Sequence, residues 1–101
     1  MMKLWIDDVR PAPVDYKRCY SVWGAIHEIE MCEYEAKDTI ELIDIDHDAG
    51  HYYDFGGDYI KLLDWLEETG RNYPIRIHSM NPVGIANMRA IIQKNGWIEV
   101  R

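Results

Sequence analysis

Ile40-Glu-Leu-Ile-Asp-Ile-Asp-His-Asp-Ala-Gly50 decides the fold, because a strand pattern here runs straight into ionisable side chains and a glycine. Ile40, Leu42, Ile43 and Ile45 put apolar groups on both faces without clean alternation, which predicts a strand over 40–46 buried between two layers. Asp46, His47 and Asp48 then fall at its carboxyl end. In an open parallel sheet that end lines the crevice where ligands bind, so chemistry is expected there; the competing reading is that Asp46 and Asp48 simply cap the turn at Gly50. Asp44 breaks the pattern. A mid-strand carboxylate among isoleucines is costly unless paired, and the sequence names no partner for it.

Outward from this strand, periodicity and breakers supply the remaining elements. Residues 3–6 form a short apolar strand that stops at Asp7-Asp8, and Pro11 and Pro13 keep the following segment out of a helix. Residues 16–20 read as an edge strand in which Lys17 and Arg18 discourage pairing with a neighbouring molecule. Ser21 is a helix cap, and Val22, Ala25, Ile26 and Ile29 recur at helical spacing, so a helix is expected to about Glu33. Beyond Gly50 lies a loop, 51–57, with three aromatics and Gly56-Gly57. A helix from near Asp58 turns Tyr59, Leu62, Leu63 and Leu66 inward and ends at Thr69-Gly70. Residues 74–78 are a fourth strand, Asn81-Pro82 opens a helix carrying Ile85, Met88, Ile91 and Ile92, and residues 97–100 are a fifth strand. This alternation predicts an α/β domain of two or three layers with a mainly parallel sheet.

A chain of 101 residues suits one domain, read as 1–101. Its 48% hydrophobic and 29% charged residues are those of a globular protein, not a disordered one. A net charge of -7 argues against tracking an extended nucleic-acid backbone. A small phosphorylated ligand or an RNA end remains compatible where local cations offset the charge. Cys19 and Cys32 match no metal spacing and read as reduced thiols of a cytoplasmic protein. No apolar run reaches the length of a membrane span, and Met1-Met2-Lys3 leads into a strand instead of a signal peptide, so no membrane partner is expected.

Three predicted strands end in polar residues: Asp7-Asp8, Asp46-His47-Asp48, and His78-Ser79-Met80-Asn81. Right-handed crossovers put such ends on one rim, where they should meet. Clustered carboxylates repel, which protonation, an arginine or a divalent cation would resolve. Mg²⁺ or Mn²⁺ on Asp7, Asp8, Asp46 and Asp48 is the expected cofactor. His47 and His78 form the expected proton-transfer pair beside Asp46, with hydrogen-bonded structural histidines as the alternative. Ser79 and Asn81 are candidate donors to a phosphoryl oxygen, Asn81 also serving as a helix cap. Arg10 either clamps a phosphate or neutralises the acids, or makes a surface ion pair. Tyr52, Tyr53 and Phe55 either stack on a base or pack over a small core.

Asp7-Asp8-Val9-Arg10-Pro11, Ile45-Asp46-His47-Asp48-Ala49-Gly50 and His78-Ser79-Met80-Asn81-Pro82, followed by Gly84 and Asn87-Met88, resemble the signature of the cyclic-phosphate-processing receiver-like domains. The resemblance spans almost the whole chain. It implies a compact flavodoxin-like receiver fold, a five-stranded mainly parallel sheet of order 2-1-3-4-5 with about three helices. It places Asp7 and Asp8 at the metal-binding acidic pair, Asp46 at the phosphoryl-accepting aspartate, Ser79 at the fourth-strand hydroxyl and Asn87 among the substrate contacts. Departures are the absence of a last-strand lysine before Val100-Arg101, a proline-rich loop in place of the first helix, and no final helix. Losing that helix would leave an apolar sheet face for a second copy to cover, as a homodimer. The implied activity is a phosphodiesterase-like hydrolase acting on 2′,3′-cyclic phosphate ends or cyclic nucleotides. A non-catalytic cyclic-nucleotide binding or sequestering protein is the alternative, and a receiver phosphorylated on Asp46 is a third reading.

Overall fold

Leu4, Ile6, Ile43, Ile45 and Ile75 have no exposed surface, and together they form the inner face of a parallel sheet. The structure is a computed structural model that describes residues 1–35 and 38–101. Its strands are β1 (Met2–Ile6), β2 (Tyr16–Cys19), β3 (Ile40–Ile45) and β4 (Ile75–Ile77), and its helices α1 (Val22–Glu35), α2 (Ile60–Glu68) and α3 (Pro82–Asn95). The strand order is β2-β1-β3-β4, every pair parallel.

The expected fifth strand is reduced to one parallel bridge, Ile75 to Glu99, so the sheet has four strands and not five. Ile75 N–H donates to the Ile98 carbonyl at 3.0 Å, and Val100 N–H donates to the Ile75 carbonyl at 2.8 Å. With β4 only three residues long, the final segment finds one partner residue and no ladder. The predicted order still holds, because this segment lies along β4.

Helix ends follow their local chemistry. Ser21 Oγ accepts from Gly24 N–H at 3.0 Å, and Asn81 Oδ1 accepts from Gly84 N–H at 3.0 Å, each satisfying an amide that the first turn leaves free. Gly96, at φ 67°, terminates α3 in the left-handed region. α2 begins two residues later than expected, and Asp58 instead accepts from the Ala49 amide at 3.0 Å. A 3₁₀ turn at Gly50–Tyr52, absent from the sequence reading, leads out of the β3 end.

α2 packs against both α1 and α3, so the helices form one layer over the inner sheet face. Val22, Ala25, Ile29, Leu62, Leu63, Leu66, Met88 and Ile92 fill the space between. Tyr59 is fully buried there, its hydroxyl donating to the Tyr20 carbonyl at 2.7 Å, which removes the cost of burying a polar group. The opposite face was expected to be apolar. It instead carries the laterally paired row Arg18, Trp5, Asp44 and Arg76. The segment from Asp7 to Asp15 crosses beside it without a helix, tied down by Trp5 Nε1–H donating to the Arg10 carbonyl at 3.0 Å. Among the described residues, no helix is long and apolar enough to cross a membrane.

Candidate functional site at the carboxyl rim of the sheet

Parallel strands deliver Asp7, Asp46 and His78 to one rim, where Asp46 N–H donates to the Ile6 carbonyl at 3.0 Å and His78 N–H to the Ile45 carbonyl at 2.9 Å. Asp7 is fully buried. Its Oδ1 accepts from the amides of Val9 at 2.9 Å and Arg10 at 3.0 Å, and its Oδ2 from Arg10 Nη1 at 3.1 Å and His78 Nε2 at 2.9 Å. Burial alone would raise the Asp7 pKa. The Val9 and Arg10 amides, then His78 and the Arg10 guanidinium, outweigh it and hold the carboxyl below its ordinary range.

The sequence reading missed what lies behind His78. Its Nδ1 lies 2.7 Å from Asp44 Oδ1, so the imidazole spans two buried carboxylates. Ionised carboxylates only accept, so the imidazolium form, with an N–H on each ring nitrogen, satisfies both contacts at once. Burial disfavours that charge, but the hydrogen bonds to Asp44 and Asp7 prevail and raise the His78 pKa. The Trp5 indole stacks on the ring with centroids 3.8 Å apart and planes 5° from parallel, a placement that favours a cation. Arg76 approaches the other Asp44 oxygen at 3.6 Å. Register made this assembly: Asp44 is paired laterally with Trp5 on one side and Arg76 on the other.

His47 stands in a different setting. Its Nδ1 is 2.9 Å from Asp48 Oδ1, while Nε2 has no protein partner among the described residues. The Asn81 amide nitrogen lies 3.5 Å from both that Nδ1 and the Asp48 carboxylate. A Cβ on Gly84 would collide with the imidazole, so the bare glycine lets the first turn of α3 press against His47. Ser79 Oγ accepts from Asn81 N–H at 3.1 Å and so shapes the turn into α3. Asn87 is exposed on α3 and joins none of the hydrogen bonds of the rim.

Asp7, Asp8 and Asp46 offer oxygens within 4.8 Å of one another, the spacing of a cation site. Asp48 is not in that group; it clusters instead with His47 and Asp58, the last a residue whose place after Gly56-Gly57 gave no signal. Asp7, however, has no acceptor position left for a metal as it stands. A carboxylate has about four acceptor positions, and Asp7 has spent all of them on protein donors. Arg10 Nη1 also sits 3.4 Å from Asp46 Oδ2, between the two acids. Asp46 Oδ1 is taken by the His47 amide at 2.7 Å.

The aromatic loop closes the rim on the β2 side. Tyr52 meets Tyr20 and Phe55, and Phe55 meets Trp23, with centroids 5.4 to 6.2 Å apart, so these rings pack on one another. Phe55 and Tyr53 remain about half exposed.

A family model described as the cyclic-phosphate processing receiver domain matches residues 2–94. No curated protein and no solved structure gives a significant match.

Proposed function

Because the chain belongs to the family of cyclic-phosphate processing receiver domains, we propose that it hydrolyses cyclic phosphates, either 2′,3′-cyclic phosphate ends or cyclic nucleotides. The observation that carries this reading is the pairing of a free histidine nitrogen, His47 Nε2, with a cationic centre built from Arg10 on the same rim. Asp48 holds Nδ1–H of His47, which leaves the Nε2 lone pair available to a water molecule. As water attacks phosphorus, His47 Nε2 takes its proton, a new P–O bond forms, and one ring P–O bond breaks. His47 then returns the proton to the departing ring oxygen, giving a phosphate monoester and a free hydroxyl.

Arg10 offsets the charge that gathers on the non-bridging oxygens, held in place by Asp7 and Asp46. Ser79 and the Asn81 amide are additional donors at the start of α3, where the helix dipole favours an anion. His78 acts through Asp7 in this scheme, as the cation that fixes that carboxylate. A second reading has its own support. With both His78 nitrogens engaged, the rim retains one mobile proton carrier, which suits a protein that binds or sequesters a cyclic nucleotide without cutting it. Incubation with a panel of cyclic mononucleotides and 2′,3′-cyclic-phosphate oligonucleotides, with products followed by mass spectrometry, separates the two. Gain of one water by a ligand supports hydrolysis, and stoichiometric recovery of unchanged ligand supports sequestration.

A further inference from the structure

We propose that Arg10 is the resident cation of the Asp7–Asp46 carboxylate pair, and that a divalent ion enters this position only by displacing its guanidinium. Nη1 of Arg10 is ringed by oxygens from three strand ends: Asp7 Oδ2 at 3.1 Å, Asp46 Oδ2 at 3.4 Å and the His78 carbonyl at 3.4 Å. That is where a small cation would sit to serve the same ligands. The ion pairs agree, since Arg10 lies against Asp7 and Asp46 and Arg76 against Asp44, so each of these three carboxylates has a guanidinium nitrogen within 4 Å.

The position is built by the chain. Arg10 N–H donates to Asp7 Oδ1 at 3.0 Å and the Arg10 carbonyl accepts from Trp5 Nε1 at 3.0 Å, so the backbone of this residue is pinned at both ends. The side chain is nevertheless 43% exposed. With Nη1 turned inward, Nε and Nη2 have no protein acceptor among the described residues, and the outer edge of the fork faces solvent. A guanidinium edge matches two phosphoryl oxygens at once, which a hydrated metal ion on the same carboxylates would replace with single contacts. Arg10 thus joins the acids to the anion in the role usually given to a divalent ion, and divalent ions compete with it.

The test needs no cyclic phosphate, so it can fail while hydrolysis stands, and the reverse. Mn²⁺ is titrated into full-length wild-type protein, Arg10→Gln and Arg10→Gln/Asp46→Asn, with free Mn²⁺ read by electron paramagnetic resonance. Arg10→Gln is expected to bind Mn²⁺ at least about tenfold more tightly than wild type, because apparent affinity scales with the fraction of molecules whose position is open. Adding Asp46→Asn is expected to abolish the gain. Equal Mn²⁺ affinity in wild type and Arg10→Gln, whether strong or undetectable, would overturn the proposal. Where Arg10→Gln fails to fold, inorganic phosphate binding to wild type decides. Binding that survives a chelator and weakens on adding Mg²⁺ supports Arg10 as the cation, and binding that requires Mg²⁺ contradicts it.

Discussion

Asp44 Oδ1 lies 2.7 Å from His78 Nδ1, which explains a carboxylate only 2% exposed in the middle of an isoleucine-rich strand. Buried charge is tolerated when it is paired and hydrogen-bonded, and His78 and Arg76 supply both conditions. Asp44→Asn keeps the shape but weakens a hydrogen bond between charged groups, so a loss of about 1.5–3 kcal/mol is expected from urea unfolding. A change within a few tenths would mean that the pair contributes nothing to folding.

His78 also gives the stability curve a direction in pH. Its folded pKa is raised above the ordinary 6.5, so its contribution is complete below that value and is lost as pH rises through the raised pKa. Asp7 behaves oppositely. Its pKa is lowered from 3.8, so its contribution is present above that value and is lost as pH falls through the depressed pKa. Melting temperature should decline on the alkaline side in wild type and flatten there in His78→Gln. An unchanged alkaline slope in that variant would assign the decline to other groups.

Gly84 separates packing at the site from packing in the core. A Cβ there collides with the His47 ring, which must move away from Asp48 or push back the first turn of α3. Gly84→Ala is expected to cost about 1–3 kcal/mol, as overpacking does. It should also shift the His47 ring resonances while leaving those of residues around Leu62 and Leu66 in place. Native-like His47 resonances would show that the contact relaxes without consequence.

Cys19 is buried, and burial pushes its thiol pKa up to about 12. The thiolate is the reactive form, so folded protein should resist iodoacetamide at pH 8 at this residue and react only on unfolding. Rapid labelling of Cys19 in native protein would contradict the packing of β2 against α1.

Much of this arrangement is legible in the sequence because it rests on local signals. The apolar run before Asp46, the caps Ser21 and Asn81, and the breakers at Pro11, Pro13, Gly70 and Gly96 place the parallel sheet and three helices. They also bring the three polar strand ends to one rim. What depends on register is not legible. Asp44 meets His78 only because β3 and β4 pair Asp44 with Arg76, and Trp5 reaches the imidazole only because β1 sits on the other side of β3. Arg10 reads equally as a surface ion pair until the loop after β1 is seen folded back onto Trp5. The fifth strand fails for a reason of length, since Trp97-Ile98-Glu99-Val100 has a suitable composition but β4 offers it a single pairing residue.

Hydrolysis is tested most directly by ³¹P nuclear magnetic resonance of a 2′,3′-cyclic mononucleotide incubated with wild-type protein and with His47→Ala. Conversion of the ring phosphate signal to a monoester by wild type is expected, slowed at least about a hundredfold in His47→Ala, as for loss of a general base. A cyclic phosphate that broadens on binding yet stays intact with wild type, or that His47→Ala converts at the wild-type rate, would contradict the account.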